Sequence, residues 1–362
     1  MSKRIEDLDE NFKDKGSKIE DGLMWTSASD PRLTVNGLPW FRENEGEFFR
    51  LPKRAKRVVR DPVWELGTMP SGGRVRFKTD ATTLKLRIQH SRAEIAMVHM
   101  PAVGVSGIDL YEGPPSRMVY WTSSKQIVAK QPYVATYFEK FPKKMREFTL
   151  YLPTYNDLVL LEIGVDVGAK IAKPSAFHLK KPVVVYGTSI TQGGCSSRGA
   201  NGYVPLVGRM LGLDVINLGF SGNGKSDLEV ADLINEIDSA CLVNDCVANM
   251  GVEDMKARYV AFNEKIRTKQ PTLPILFMTS IRWASENYQA NSRGEETNQF
   301  VIDTCNQFKK RGDKNVYLLD CRKIIGIDPD HPSVDGCHLT DLGYRRMADG
   351  VAPVLKRILK MR

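Results

Sequence analysis

The chain is short of the residues that usually advertise a function. Its 362 residues include only five histidines, at 90, 99, 178, 331 and 338. Its six cysteines, at 195, 241, 246, 305, 321 and 337, form no C-x-x-C pair. That spacing speaks against a zinc or thioredoxin-like site, and reduced thiols are the default expectation. Cys195 and Cys337 each lie near a motif described below, so a disulfide between them is open on spacing alone. No run of about 18 apolar residues occurs, so no membrane-spanning helix is predicted. The opening MSKRIEDLDENFKDKGSKIEDG lacks the apolar centre of a signal peptide and reads, over residues 1–24, as a polar tail. The compartment is then cytoplasmic as numbered, or periplasmic or secreted if a leader was removed.

What is present is an ordinary globular composition with an uneven charge. Hydrophobic residues make up 42% and charged residues 26%, and the net charge is +9. Residues 51–100 hold 11 Lys/Arg against 4 Asp/Glu, most densely in RLPKRAKRVVR, residues 50–60. This stretch reads either as a patch for an acidic polymer or as a solvated loop or strand edge. No aromatic interleaving or nucleic-acid motif accompanies it, so no nucleic-acid partner is expected. Oligomeric state is left open.

The two halves differ in rhythm. Between about Trp25 and Val167, GRVRFKT, TLKLRIQ, REFTLYLP and LVLLEIGV alternate with period two and are cut by Pro and Gly. That argues for antiparallel strands in a β-sandwich over residues 25–175, with no convincing amphipathic helix. The Pro- and Lys-rich AKIAKPSAFHLKKP, residues 169–182, reads as the boundary. From 176 to 362, apolar runs such as PVVVYG, DVINLG and PILFMTS alternate with helix-like segments. Strict β/α alternation implies a parallel sheet covered on both faces, with ligands at the carboxyl ends of its strands.

Two strand ends and one loop carry chemistry. The first strand runs into YGTSITQGG, which places Ser189 just past it. A serine hydroxyl needs a base to become a nucleophile. His338, in DGCHLTDLGY, has Asp335 three residues before it, a spacing that lets the carboxylate reach the imidazole Nδ1–H. Taken alone, this D-x-x-H could equally be a polar turn ahead of the last helix. The second strand runs into GFSGNGKS, where Gly219, Gly224, Lys225 and Ser226 satisfy the phosphate-binding pattern G-x-x-x-x-G-K-[ST].

GTSITQG, NLGFSGNG, VAN and DGCH, in that order at strand ends, closely resemble the SGNH hydrolases, also called the GDSL esterase family. The resemblance spans about residues 182–360 and implies a three-layer, flavodoxin-like α/β domain. It implies Ser189 as nucleophile, Gly222 as a backbone oxyanion donor, Asn249 as a side-chain oxyanion donor, and Asp335 and His338 as the remaining triad members. Two departures stand out. Thr188 replaces the usual aspartate of Gly-Asp-Ser-Ile. The third block, CVANMGVED, keeps an asparagine without its usual neighbours, so Asn244 competes with Asn249. Upstream, Gly107, Asp109, Leu110 and Tyr111 match the G-x-D-L-Y subgroup, whose members carry a jelly-roll-like β-sandwich ahead of the hydrolase domain and tend to have GTSIT.

The expectation that the resemblance implies is a serine esterase for short acyl, above all O-acetyl, esters of a carbohydrate, as a small molecule or an oligosaccharide, needing no metal or organic cofactor. A hydrolase-like domain that has lost activity and a carbohydrate-binding sandwich form one alternative. A P-loop NTPase is another, although GFSGNGKS follows the second strand where a P-loop normally follows the first. SIRWASENY, residues 280–288, offers Arg282, Trp283 and Tyr288 either as substrate contacts or as a plain surface connection.

Overall fold

The computed structural model describes residues 17–361. Of the tail expected over 1–24, residues 1–16 lie outside the described residues. The remainder is structured: β1 (Ser17–Glu20) pairs antiparallel with β2 (Leu23–Ser27). Asp21 and Gly22, both at positive φ, make the two-residue turn between them. Asp-Gly is a strong hairpin signal, and the polar residues around it are those of a sheet-edge strand.

The first half continues with β3 (Thr34–Asn36), α1 (Asp61–Gly67), β4 (Arg74–Thr79), β5 (Leu84–His90), α2 (Ala102–Ser106) and β6 (Asp109–Glu112). β7 (Val119–Ser123), β8 (Tyr133–Phe138), β9 (Arg146–Tyr151), β10 (Leu158–Asp166) and β11 (Ile171–Ala172) complete it. One sheet has the order β1-β2-β10-β5-β8 and the other β11-β4-β9-β6-β7, with β3 added on β4. The facing sets β2-β10-β5-β8 and β4-β9-β6-β7 have jelly-roll order. Alternate residues of each strand point inward, so that Leu84, Leu86 and Ile88 meet Phe77, Phe148, Leu110 and Ile163 in one core. The two helices are too short to show a helical period, which is why the sequence pattern omits them.

The second half is built on β12 (Val183–Gly187), β13 (Val215–Gly219), β14 (Cys241–Asp245), β15 (Ile275–Met278) and β16 (Val316–Leu319), all parallel in the order β13-β12-β14-β15-β16. That is the flavodoxin-like order, with the switch point at β12. Its helices are α3 (Ser189–Gln192), α4 (Tyr203–Leu211), α5 (Leu228–Asn235), α6 (Val252–Asp254), α7 (Val260–Lys269), α8 (Ser292–Lys310) and α9 (Asp341–Ile358). A π-helical turn, Met255–Tyr259, joins α6 to α7. Val184 and Tyr186 face α5, α7 and α8, whereas Val183 and Val185 face α4 and α9. The result is three layers.

Lys53, Arg54, Lys56 and Arg57 of the basic stretch are solvent-exposed, as the solvated reading expects, but Arg50, Arg54 and Arg60 also join the two halves. Arg50 is fully buried. It donates to Leu66 O (2.7 Å) and Met69 O (2.7 Å) on its own side and to Asn217 O (3.0 Å) and Gly219 O (2.6 Å) across the interface. Burial presses its pKa down to about 9, against the opposing influence of Tyr155, which leaves the charge in place at neutral pH. Arg54 reaches Glu236 and Arg60 reaches Asp227 and Asn223, while Trp40 Nε1 donates to Glu236 at 3.0 Å. The G-x-D-L-Y residues act at the same seam. Asp109 accepts the Ala200 N–H at 2.8 Å, and Tyr111 accepts from Arg198 at 2.7 Å.

Candidate active site

Ser189 is the first residue of α3, immediately after β12. Thr188, which stands where the family usually has aspartate, precedes the helix, and its N–H donates to Thr191 Oγ1 at 3.2 Å. Gly187 is required here, because a Cβ would sit 2.0 Å from Thr191 Oγ1 and 2.7 Å from Asp245 O. Beneath the turn, buried Asp245 accepts from Tyr203 Oη (2.6 Å) and Thr191 Oγ1 (2.8 Å). Burial lifts its pKa to about 6 despite those two bonds. Sequence reading did not single out Asp245. It is the last residue of an apolar strand, and only the packing of α3 and α4 shows its partners.

The loop before α9 brings Asp335 and His338 up to Ser189. Asp335 Oδ1 accepts the backbone N–H of Cys337 (3.0 Å) and His338 (2.7 Å), and Gly336, at φ +87°, permits the tight turn. The other oxygen, Oδ2, meets His338 Nδ1 at 2.7 Å, and His338 Nε2 meets Ser189 Oγ at 2.8 Å. Burial alone would raise the Asp335 pKa. The hydrogen bonds from the His338 ring and the two N–H groups outweigh it and bring the pKa to about 2. An ionised Asp335 requires the proton on Nδ1, which leaves the Nε2 lone pair facing the serine hydroxyl. Ala284 N donates to Gly336 O at 2.9 Å, so the 280–288 loop braces this turn from outside.

Gly222 lies at φ +68° in the turn after β13, and Asn249 ends a short 3₁₀ turn after β14. The two turns are linked, since Gly224 N donates to Asn249 Oδ1 at 3.3 Å. The Asn249 amide nitrogen and the N–H groups of Ser189 and Gly222 have no protein acceptor among the described residues. Asn244 is elsewhere: fully buried in β14, it bonds Asn263 (3.1 Å) and the Cys246 thiol (3.0 Å).

Two of the three glycines of GFSGNGKS, Gly219 and Gly224, serve close packing, whereas Gly222 serves a positive φ. A Cβ on Gly219 would come 2.3 Å from Gln192 N, and one on Gly224 would come 2.2 Å from Gly187 O. Ser226 is buried, with its hydroxyl 3.2 Å from Cys246 Sγ and its N–H on Tyr186 Oη at 2.9 Å. It is not placed to hold a nucleotide-bound cation. Gln192, also unpredicted, clamps the turn by accepting the Ser221 N–H (3.0 Å) while donating to Thr154 O of the sandwich half (3.1 Å).

A cavity of about 380 Å³ opens on His338, Gly194, Ser221 and Asn223. Its opposite wall comes from the first half and includes Leu66, Met69, Met97, His99, Met100 and Tyr155. The β-sandwich thus contributes directly to the site, a point the sequence leaves open. Arg282, Trp283 and Tyr288 do not line this cavity. Arg282 is held by Glu286 (2.7 Å) and Glu295 (2.9 Å), and Tyr288 is almost wholly exposed. A larger cleft, about 990 Å³, lies between the halves around Trp40, Asp214 and Glu236 and includes none of the Ser–His–Asp residues. All six cysteines are free, Cys195 and Cys337 included. Among the described residues, no helix is long and apolar enough to cross a membrane.

The sequence model of the GDSL-like lipase/acylhydrolase family matches residues 180–356, and that of the N-terminus of the SGNH-hydrolase-type esterases matches residues 23–171. The chain belongs to this hydrolase family. It is an esterase in class, with the G-x-D-L-Y type of N-terminal half. No curated protein matches it. Among solved structures, the hydrolase is similar to a GDSL-like lipase from Bacteroides ovatus, at 28% identity and TM-score 0.85 over 94% of this chain and 99% of that one. It shares its fold with the salicylyl-acyltransferase SsfX3 of a tetracycline biosynthetic pathway (19% identity, TM-score 0.78, 95% and 100% covered). It also shares it with a family two carbohydrate esterase from Cellvibrio japonicus (15%, TM-score 0.62, 93% and 98% covered).

Proposed function

We propose that the protein is a serine esterase that removes short acyl groups, O-acetyl above all, from a carbohydrate. The observation that carries the reading is the unbroken chain from Ser189 Oγ through His338 Nε2 and Nδ1 to Asp335, with bonds of 2.8 and 2.7 Å. Ser189 Oγ attacks the ester carbonyl carbon while His338 Nε2 takes its proton. Asp335 holds the ring in the required tautomer and stabilises the imidazolium. The tetrahedral oxyanion is received by the N–H groups of Ser189 and Gly222 and by Asn249 Nδ2, donors whose single removal costs about 3 kcal/mol of transition-state stabilisation. His338 returns the proton to the departing alkoxide. Water then attacks the acyl-enzyme with His338 again as base, releasing the acid and the serine. No step calls on a metal or organic cofactor.

The size and lining of the cavity support a small ester. About 380 Å³ is near the lower end of the range for ligand pockets, about 300–1,000 Å³. Met69, Met97 and Met100 offer an apolar, adaptable surface to an acyl methyl or a sugar face. The family two carbohydrate esterases, one of them described in complex with cellohexaose, share this fold and motivate the carbohydrate assignment. The assembled Ser–His–Asp chain favours catalysis over an inactive binding domain. Hydrolysis rates on p-nitrophenyl acetate, butyrate and octanoate, then on acetylated oligosaccharides, test the reading. A steep fall with chain length and acetate release from the sugars are expected. Preference for octanoate, or inertness to every ester, overturns it.

A further inference from the structure

Composition and spacing suggest no metal cluster, but the fold assembles one. His99 from the sandwich half, Cys195 from the turn after α3, and Asp335 and His338 from the loop before α9 each offer a ligand atom, and all four atoms lie within 4.8 Å of one another. Among the described residues no other such group occurs. The His99 and His338 rings are 5.9 Å apart and inclined at 52°.

We propose that these four side chains bind one divalent cation of the zinc class and that occupancy switches the esterase off. The inhibitory part rests on the reading of His338 as the general base. Two imidazoles, a thiolate and a carboxylate form a borderline donor set that suits zinc, whereas magnesium and calcium prefer oxygen ligands. Tetrahedral zinc with bonds of about 2.0–2.3 Å sets its ligands roughly 3.3–3.6 Å apart, so the cluster must contract by about an ångström. His99 is exposed and free to swing inward. Asp335 is also exposed, so an ion reaches the cluster from solvent, while buried Cys195 closes its inner side. The thiol proton leaves to the buffer as the ion binds.

Both His338 nitrogens are already engaged, Nε2 with Ser189 and Nδ1 with Asp335. A cation on either nitrogen removes one of those bonds, and a metal-bound imidazole no longer has both nitrogens available for the proton relay. Turnover therefore stops whichever nitrogen is taken. Removing the ion restores the relay, so the inhibition is reversible.

The test titrates chelator-treated protein with zinc chloride. Binding is read by competition with a chromophoric zinc chelator, and p-nitrophenyl acetate hydrolysis is followed in parallel. One zinc per chain is expected, with half-inhibition at the binding midpoint and recovery on adding EDTA, while millimolar magnesium has no effect. Cys195→Ser and His99→Gln should each raise the zinc midpoint at least ten-fold, every rate being normalised to the same variant without zinc. Ser189→Ala keeps all four ligands and should bind zinc as wild type does. Absence of binding, binding without inhibition, or inhibition whose midpoint neither variant moves overturns the proposal. If Ser189→Ala still hydrolyses the ester while zinc binding follows the expected residue dependence, the serine reading and the inhibitory step fail and the metal site stands.

Discussion

Asn249 Oδ1 accepts the backbone N–H of Gly224 at 3.3 Å, so the side chain with a free amide nitrogen is held by the turn that carries Gly222. The bond occupies the acceptor end of the amide and leaves its donor end available. Because an oxyanion donor acts more strongly in the transition state than in the ground state, Asn249→Ala should lower kcat about 100-fold with little change in KM. Asn249→Asp keeps an acceptor for Gly224 but replaces the donor with a negative charge, and should lose at least as much. Asn244→Ala should act on melting temperature instead, since Asn244 is buried against Asn263 and Cys246. Steady-state kinetics and thermal melts separate these effects. A large kcat loss in Asn244→Ala with Asn249→Ala near wild type would reverse the assignment.

Ser189→Ala should abolish ester hydrolysis with an unchanged melting temperature to within a few degrees, because only a hydroxyl bonded to His338 is removed. A fluorophosphonate probe should label wild type and not the variant. Mass spectrometry of the labelled peptide checks this directly. Label on any other serine contradicts the nucleophile assignment.

The legible features were those with strong local signals. The long strands of the sandwich show period two because one face is buried, and the parallel strands show unbroken apolar runs because both are. Ser189, Asp335 and His338 stand in short motifs whose geometry is set within a few residues. What escaped was long-range. Arg50 looked like one more cation in RLPKRAKRVVR, yet it is buried against carbonyls more than 160 residues away. Gln192 lies inside GTSITQG, which gives it no role of its own, and the roles of Gln192, Tyr155 and His99 follow from the docking of one half on the other. The β1–β2 hairpin was hidden by its polarity, although Asp21-Gly22 marked its turn.

Lys225→Ala should leave ester turnover within a few-fold of wild type and should reveal no nucleotide binding to lose. Lys225 lies outside the residues lining the cavity, and the adjacent Ser226 is buried on Tyr186 and Cys246. Equilibrium binding of ATP and GTP to both proteins is the measurement. Saturable binding present in wild type and absent in Lys225→Ala would restore the phosphate-loop reading of GFSGNGKS.

Arg50→Met should destabilise the protein by about 3 kcal/mol or more, since the carbonyls of Met69, Asn217 and Gly219 lose the guanidinium donor, while Leu66 O keeps the Met69 N–H. Two of those carbonyls belong to β13, just ahead of the Gly222 turn, so kcat should fall as well. Arg50→Lys should rescue little, because an ammonium cannot span the four acceptors that the guanidinium fork reaches. Urea unfolding paired with kcat measurements tests the linkage. Wild-type stability in Arg50→Met would remove the case for this residue as the joint between the halves.

Asp245 predicts an unusual pH dependence of stability. Its folded pKa is raised from 3.8 to about 6, chiefly by burial. Below about pH 4 the carboxyl is protonated in both folded and unfolded chains. Between about 4 and 6 the unfolded chain ionises while the folded chain stays protonated, so stability falls as pH rises. Above about 6 the loss is complete, on the order of 3 kcal/mol for a shift of this size. Asp335 contributes the opposite trend only at lower pH, because its folded pKa is depressed to about 2 and its stabilisation is lost as pH falls from about 4. Asp245→Asn keeps an oxygen for Tyr203 and Thr191 but cannot ionise. Unfolding free energies at pH 4, 5, 6 and 7 should therefore show the variant gaining on wild type steadily across that interval, most of all at pH 7. A difference between the two proteins that stays constant from pH 4 to 7 would mean that Asp245 is already ionised in the folded protein at the acidic end.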